Sequence, residues 1–213
     1  MKVLVGCEYS GVVRDAFIAL GHDAWSCDFE ETETPGNHYR GDVKDIINDG
    51  WDLGIFHPPC TFLASSGVRW LSHPDDTHLP FNERRVHPQY PNRRIDMQES
   101  INFVKMLYDA PIPMVAIENP IGLLSTRWRK PDQIIQPWQF GHQKMKSTCL
   151  WLKNLPVLTP TNIVGPPPTD KKERLKWQDV WMASPGPDRW KDRSRTYTGF
   201  GKAMAQQWGN TLS

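Results

Sequence analysis

The chain has 213 residues, a formal net charge of +1 and 38% hydrophobic residues, which suits one domain with a hydrophobic core. It has no signal-peptide pattern and no apolar run near the ~20 residues of a membrane-spanning helix, so we expect a soluble, cytoplasmic protein. The cysteines are spaced singly, at Cys7, Cys27, Cys60 and Cys149. This spacing argues against a Cys-x-x-Cys zinc site and a disulfide framework, so we predict reduced thiols and no metal.

Charge is distributed unevenly along the chain. Residues 1–60 hold four Lys and Arg against eleven Asp and Glu, whereas residues 148–213 hold ten against five. A basic carboxyl-terminal third is compatible with a polyanionic partner, although a run of charge also occurs on an ordinary solvated face. Many of the ten tryptophans and nineteen prolines fall outside periodic segments, where tryptophan rings serve either base stacking or loop packing.

The amino-terminal residues follow the order of a nucleotide-binding βαβ unit. The apolar run 2–7 predicts a buried strand, residues 12–20 repeat apolar side chains at helical spacing, and residues 24–27 predict a second strand. Asp28 follows that strand, where βαβ units place the carboxylate that binds ribose hydroxyls. The glycine fingerprint is poor, so a solvated strand-end acid is the alternative interpretation of Asp28.

The clearest strand pattern is Leu53–Phe56, which is followed by Pro58, Pro59 and Cys60. Ligands of open α/β sheets bind beyond the carboxyl ends of the strands, so Cys60 is the candidate nucleophile. The alternative is a cysteine that only fills space at a strand end. Upstream, Asp42 fits either a helix cap or a contact to the adenine end of a cofactor.

Residues 68–95 form a long insertion that is rich in His, Pro and Arg and has no apolar period. Such insertions in compact domains are usually functional or disordered. Its arginines lie among Trp70, Phe81 and Tyr90, which favours phosphate contact combined with base stacking. The insertion is therefore predicted to contact nucleic acid, while its histidines lack the spacing of a metal motif.

A second reactive side chain follows another predicted strand. Helical periodicity runs from Met97 to Tyr108, and Met114–Ile117 predicts a buried strand that ends at Glu118. We expect Cys60 and Glu118 to meet at the same edge of the sheet. Burial at the strand end is expected to raise the pKa of Glu118, which suits a group that donates a proton or hydrogen bond near neutrality.

Four segments occur in the order of a known family's motifs: Pro59-Cys60, Glu118-Asn119, Phe140 to Lys146, and Gly209-Asn210. Together they resemble the Pro-Cys-Gln, Glu-Asn-Val, Gln-x-Arg-x-Arg and Gly-Asn motifs of the DNA (cytosine-5) methyltransferase family. The resemblance covers nearly the whole chain and implies a Rossmann-like, S-adenosylmethionine-dependent α/β fold with a mostly parallel sheet and helices on both faces. The resemblance and the short length together suggest a small, divergent, phage-like member of this family.

The resemblance implies a role for each matched residue. Cys60 would add to C6 of a flipped-out cytosine, Glu118 would bind N3, Asn119 would hold the surrounding loop, and Lys146 would contact the base or orient Glu118. S-adenosylmethionine would donate a methyl group to C5, and the residues implied to bind this cofactor are Tyr9, Ser10, Gly11, Asp28, Glu30, Asp42, Pro58 and Asn210. DNA would be the partner, bound by Arg69, Arg84, Arg85, Arg93, Arg94 and Lys144.

The sequence departs from the family pattern in several places. Thr61 replaces Gln, Pro120 replaces Val, Cys7 replaces an aromatic ring, and Lys144 and Lys146 replace arginines, which removes the bidentate fork of a guanidinium. About sixty residues separate Lys146 from the terminal motif, so a target-recognition lobe is at most a miniature one. We predict a catalytic and cofactor-binding domain over 1–150 with the loop 68–95 inserted, a lobe over 151–195 containing Trp177, Trp181 and Trp190, and a returning segment over 196–213.

Other functions remain open at this stage. The segment before Cys60 also occupies the place of the Asn/Asp-Pro-Pro-aromatic motif of enzymes that methylate exocyclic amines of DNA. A Pro-Pro-Cys element occurs in thymidylate synthases, although the βαβ order and Glu118-Asn119 argue against that class. A C5 enzyme that uses a carboxylated S-adenosylmethionine, held by Arg14 and Arg40, and a non-catalytic DNA-binding relative are further alternatives.

Overall fold

A computed structural model describes residues 1–178, 191 and 194–210 of the chain. Its seven strands are β1 Lys2–Gly6, β2 Asp23–Asp28, β3 His38–Arg40, β4 Leu53–Phe56, β5 Met114–Pro120, β6 Gln133–Ile135 and β7 Thr148–Lys153. They form one sheet in the order β3-β2-β1-β4-β5-β7-β6. The first five strands run parallel, whereas β7 is antiparallel to both β5 and β6.

Helices cover both faces of the sheet. The described α-helices are α1 Val12–Ile18, α2 Arg93–Tyr108, α3 Leu124–Arg127, α4 Lys171–Leu175 and α5 Thr198–Trp208. Side chains of β1 alternate between two cores: Val3 and Val5 pack with α1 and α5, whereas Leu4 belongs to the core on the α2 side. This alternation is expected of a strand buried on both faces. The predicted Rossmann-like α/β fold with a mostly parallel sheet is confirmed.

The direction in which the sheet is wound reverses between β1 and β4. From β1 the chain moves outward through β2 to β3, and it then returns to the other side of β1 with β4 and continues to β5. Such a reversal opens a crevice at the carboxyl ends of the strands, where doubly wound proteins bind their ligands. We call this side the carboxyl edge; α1 and α2 return the chain from it to the opposite, amino edge.

Several predicted elements have different bounds in the structure. β4 has the predicted limits, but α1 ends at Ile18 and β5 continues beyond Ile117 to Pro120. The extension of β5 follows from β7, which pairs with it so that Glu118 lies opposite Leu150. β7 also crosses the predicted domain boundary after residue 150, and the division into domains stays a prediction. Trp181 and Trp190 of the predicted lobe lie outside the described residues.

The insertion 68–95 contains short 3-10 helices. They span Ser65–Leu71, Pro74–Asp76 and Phe81–Glu83, and α2 begins at Arg93, inside the predicted insertion. Asp76 is buried and accepts hydrogen bonds from both the backbone and the guanidinium of Arg85. The insertion is therefore irregular, as predicted, but internally hydrogen-bonded. No helix in the described part of the chain is long and apolar enough to cross a membrane.

Candidate functional site

Two side-chain contacts join the carboxyl ends of β4 and β5. His57 Nδ1 lies 2.8 Å from Glu118 Oε2, and the two side chains are 8% and 12% exposed. Asn119 Nδ2 donates a 2.8 Å hydrogen bond to the Pro58 carbonyl. Both contacts follow from the register, because Phe56 lies opposite Ile117 and the next residues on the two strands become neighbours. His57 was not among the residues selected from the sequence.

The loop that contains Cys60 packs against the segment after β5. The Cys60 carbonyl accepts hydrogen bonds from Leu63 N and Ala64 N, at 3.0 and 2.9 Å, and the Leu63 carbonyl accepts one from Leu123 N at 2.8 Å. The backbones of Gly122 and Leu63 are so close that position 122 requires glycine, since a Cβ there would overlap the Leu63 carbonyl oxygen. Cys60 itself is exposed. The structure therefore brings the Cys60 loop and the end of the Glu118 strand together at the carboxyl edge.

The expectation of a raised pKa for Glu118 is wrong. Burial raises the pKa, but the hydrogen bond and charge of His57, together with the charge of Lys146, lower it below its ordinary value. The sequence gives no sign of this effect because His57 is 61 residues away along the chain. Glu118 is therefore an ionised carboxylate at neutral pH in the protein without ligand.

Lys146 and Lys144 lie in the segment between β6 and β7. The charge of Lys146 acts on Glu118, and its Nζ lies 5.9 Å from the centroid of the Tyr197 ring. Lys144 is half-buried two residues earlier, and Met145 N, between them, donates to the Trp177 carbonyl at 2.7 Å. The structure thus brings Lys146 near Glu118, while the roles of both lysines toward a base stay predictions.

The amino end of α1 is occupied by the carboxylate of Glu8. Its oxygens accept hydrogen bonds from Val13 N at 2.8 Å, Arg14 N at 3.4 Å and the Ser10 hydroxyl at 3.2 Å. Glu8 is 4% exposed, and burial raises its pKa. Gly11 begins the helix with φ +72°, in the left-handed region that favours glycine. Ser10 and Gly11 were predicted from the sequence, whereas Glu8 was not. Its position directly after the predicted strand 2–7 could have indicated it.

Cys7, Asp28 and Asp42 meet where β1, β2 and β3 end. Burial raises the pKa of the Cys7 thiol, and the charges of neighbours that include Asp28 and Asp42 raise it further. Burial also raises the pKa of Asp28. Asp42 accepts a 3.0 Å hydrogen bond from Lys44 N and caps the 3-10 helix Val43–Asp45. Asp42 therefore caps a helix, as one of its two interpretations predicted, and it lies at the carboxyl edge.

Phe29 and Glu30 follow Asp28 at this edge. Glu30 N donates to Asp28 Oδ1 at 3.0 Å, and the Glu30 carboxylate lies 3.9 Å from Lys191 Nζ. Phe29 is 69% exposed. It was not predicted from the sequence, although its position directly after Asp28 could have indicated a residue of the site. An exposed ring beside a crevice offers a surface on which a purine can stack.

Tyr9 links the first turn to the carboxyl-terminal part of the chain. It is 6% exposed, and its hydroxyl donates to the Lys191 carbonyl at 2.7 Å. The Tyr9 carbonyl accepts a hydrogen bond from Glu33 N at 2.9 Å. These contacts fix the turn between β1 and α1, so Tyr9 has a structural role beside the predicted cofactor contact.

Asn210 lies on the wrong side of the sheet for the role implied by the resemblance. Gly201, in the first turn of α5, lies against Val12 at the carboxyl edge, whereas Gly209 lies against His22, immediately before β2 begins. α5 therefore runs from the carboxyl edge to the amino edge, and Asn210 follows its far end. Asn210 therefore lies away from the carboxyl edge, where the cofactor was predicted to bind. The start of α5 brings Tyr197 to the site instead, beside Lys146.

Most of the predicted DNA-binding arginines donate to the protein's own carbonyls. Arg84 binds the Leu79 and Thr77 carbonyls, Arg93 those of Gly67 and Thr61, and Arg94 those of Leu71, Arg84 and Arg85. Arg85 forms the ion pair with Asp76. Arg69 is exposed and stacks on Trp70 at 4.5 Å from the ring centroid. These contacts hold the insertion together, and DNA contact by these residues stays a prediction.

Arg14 and Arg40 are engaged within the protein. Arg14 is fully buried and its guanidinium donates to Asp15, Ser26, Thr32 and Thr34. Arg40 pairs with Glu31 at the surface. Neither arrangement favours a carboxylated cofactor held by these two residues. Among the described residues no group of three or more His, Cys, Asp and Glu side chains is arranged to hold a metal ion.

Comparisons with known proteins find matches among solved structures alone. No family model matches the chain, and no curated protein matches it. Among solved structures, a crystal structure of a DNMT2 mutant from Spodoptera frugiperda is similar, at 15% sequence identity and a TM-score of 0.40. The match covers 79% of this chain and 56% of that one, so this chain spans little more than half the length of that protein.

Proposed function

We propose that the protein transfers a methyl group from S-adenosylmethionine to C5 of cytosine in DNA, with Cys60 as the nucleophile and Glu118 at N3. The observation that supports this most is the convergence of the exposed Cys60 loop and the Glu118 strand end at the carboxyl edge. The Asn119–Pro58 hydrogen bond and the close backbone contact at Gly122 fix their relative position. A thiol beside a buried carboxylate suits covalent activation of a pyrimidine ring.

Cys60 begins the reaction as the attacking group. The thiolate sulfur forms a bond to C6 of cytosine, and the electron pair of the C5=C6 bond moves into the ring toward N3, where a proton neutralises it. C5 is then the nucleophilic carbon of an enamine and takes the methyl group. The C5 hydrogen then leaves to solvent as a proton, the C6–S bond breaks and N3 gives up the proton it gained, which restores the aromatic ring and the thiolate.

Glu118 acts on the edge of the base opposite C6. As a carboxylate it accepts a hydrogen bond from the exocyclic amine, and the negative charge that develops at N3 when Cys60 adds is neutralised by a proton that passes through Glu118. Lys146 lies near enough to hold Glu118 electrostatically. The base must leave the helical stack to enter such a crevice, so the reaction requires a flipped or single-stranded cytosine.

The residues at the carboxyl edge fit a sulfonium cofactor better than a phosphate-bearing one. In dinucleotide-binding folds the amino end of the first helix binds pyrophosphate, but here Glu8 accepts its N–H groups. The acids Asp28 and Asp42 and the exposed ring of Phe29 lie beside it, which suits a cationic nucleoside. S-adenosylmethionine, when bound, supplies an electrophilic methyl group on positively charged sulfur.

A surface at the start of the insertion supports DNA binding. Arg69 with Trp70 forms an exposed cation–π pair at the start of the insertion, and Trp70 also contacts the rings of His87 and Tyr90. Guanidinium and aromatic groups in this arrangement suit phosphate contact and base stacking. The arginines that donate to loop carbonyls contribute by keeping this surface in place.

Trapping with 5-fluorocytosine tests the proposal. Fluorine cannot leave as a cation, so a protein that adds through Cys60 and methylates C5 forms an adduct with the oligonucleotide that survives denaturation. We expect Cys60→Ser to abolish this adduct and Cys27→Ala, which removes a buried thiol, to retain it. Wild-type protein that methylates DNA without forming an adduct would refute the thiol mechanism and favour exocyclic-amine methylation.

Mass spectrometry of nucleosides from the treated DNA identifies the modified atom and the group added. We expect 5-methylcytosine; a carboxylated product would indicate the modified cofactor. An RNA oligonucleotide of the same sequence tests the choice of acceptor. DNA binding with no modified nucleoside and no adduct would indicate a non-catalytic relative.

A further inference from the structure

We propose that His57 is a positioning residue that orients Glu118 and stores the proton that Glu118 delivers to N3 of cytosine. This inference rests on the proposed function and adds a residue to it. The motif resemblance assigns no role to His57, which lies three residues before Cys60. We infer its role from its contact with Glu118, from the charged groups near it and from its second ring nitrogen.

The geometry of the pair suits proton sharing. Nδ1 of His57 and Oε2 of Glu118 are 2.8 Å apart, and both side chains are about nine-tenths buried. A charge-assisted hydrogen bond in a water-poor environment is short and strong. The two groups lie at the ends of adjacent parallel strands, so the sheet itself sets their separation.

Carboxyl groups lie near His57 on both sides of its strand. Glu118 lies on the β5 side, and Glu8, from the turn after β1, interacts electrostatically with His57 on the other side. Lys146 and Cys149 interact electrostatically with Glu118. His57 is thus held between two carboxyl groups from the strands that flank β4.

The second ring nitrogen of His57 argues against a purely structural role. Nε2 is buried and makes no hydrogen bond within the described part of the chain. Buried histidines that serve only the fold usually satisfy both nitrogens, since leaving a buried polar nitrogen unpaired destabilises the folded state. A nitrogen left open in a site is expected where a ligand or an entering water completes the hydrogen bonding.

The proposed reaction needs a group that holds a proton for N3. Glu118 is ionised before substrate binds, so it has no proton of its own for N3. As the S–C6 bond forms, the Nδ1 proton of His57 passes to Glu118 and from Glu118 to N3, which leaves His57 neutral. When the C6–S bond breaks, the N3 proton returns through Glu118 to His57, while the C5 hydrogen leaves to solvent.

Release of tritium from C5-tritiated cytosine in DNA measures this step. Rates are compared over pH 6–9 for wild type, His57→Asn and His57→Gln, with His22→Asn at the amino edge as the control. An Asn amide nitrogen can replace the Nδ1 hydrogen bond but not the proton, whereas the Gln amide sits farther from the backbone. Circular dichroism and cofactor affinity report whether each variant is folded.

We expect His57→Asn to lower the rate about 10²-fold at pH 8, the range for loss of a general acid, and to move the alkaline limb of the profile to lower pH. The KM for DNA and the cofactor affinity should stay within about twofold of wild type. In ¹³C NMR of labelled glutamate, assigned by difference from Glu118→Gln, the Glu118 carboxyl should titrate at higher pH in His57→Asn than in wild type.

The failure of this inference is distinct from the failure of the proposed function. Wild-type protein that releases no tritium and forms no fluorocytosine adduct would overturn both. Wild type that releases tritium, with His57→Asn sharing its pH profile and its Glu118 titration, would overturn the role of His57 alone. A rate for His22→Asn as low as that of His57→Asn would also count against the specific role.

Discussion

Replacing Asn119 with alanine should weaken both the fold and the site. Asn119 is 2% exposed and its side chain donates a 2.8 Å hydrogen bond to the Pro58 carbonyl. Pro58 is buried and is followed by Pro59, which has no N–H. The variant leaves that carbonyl without its donor, and an unsatisfied buried group of this kind costs about 1–3 kcal/mol.

The same substitution should slow adduct formation with 5-fluorocytosine DNA. The lost hydrogen bond is one of the contacts that fix the Cys60 loop relative to Glu118, and a displacement of about 1 Å of a reacting group can cost about 10² in rate. Urea unfolding followed by circular dichroism measures the stability change, and denaturing electrophoresis over time measures the adduct rate.

The chain offers a matched control at the opposite edge of the sheet. Asn154 Nδ2 donates to the Pro113 carbonyl at 2.8 Å, but this bond is exposed. Asn154 has φ +56°, so glycine is the replacement that avoids strain. We expect Asn154→Gly to change stability by less than about 0.5 kcal/mol and to leave the adduct rate unchanged. An Asn119→Ala protein as stable and as fast as wild type would refute the reasoning.

Three further predictions address the site and the insertion. Gly122→Ala should abolish adduct formation while the protein stays folded, because the added Cβ overlaps the Leu63 carbonyl and displaces the Cys60 loop; an unchanged rate would contradict this contact. The lowered pKa of Glu118 contributes stability that is present above its ordinary value of 4.5 and is lost as pH falls through the lower, folded-state pKa. The difference in unfolding free energy between wild type and Glu118→Gln should therefore shrink as pH falls below about 4.5, which thermal unfolding measured from pH 7 to pH 3 checks. Asp76→Asn should expose residues 72–92 to proteolysis, since it weakens the contacts to Arg85, without altering cofactor affinity; cleavage as slow as in wild type would show that the insertion does not depend on this ion pair.

Local patterns in the sequence predict the elements that place the site. β4 is a short apolar run that stops at two prolines, and the start of β5 is equally apolar, so both were predicted from adjacent residues. The strands β6 and β7 were not predicted. Their assignment depends on antiparallel pairing with β5, which no local pattern specifies.

The chemistry of the site was less predictable than its location. The pKa of Glu118 depends on His57 and Lys146, which are far from it in the chain. Asn210 was selected by motif order alone, and only the direction of α5 shows that it lies at the other edge. Arginines in an irregular insertion look alike in sequence whether they bind phosphate or the loop's own carbonyls.

The acidic carboxyl edge has a consequence for turnover under the proposed function. Asp28 and Asp42 lie near Cys7 at this edge, where a donor that carries a sulfonium group would bind. Methyl transfer converts that sulfonium to a neutral thioether, so the attraction that recruits the donor is absent for the spent product. The protein should accordingly bind the spent product more weakly than the donor. The difference between these two affinities should decrease as ionic strength rises.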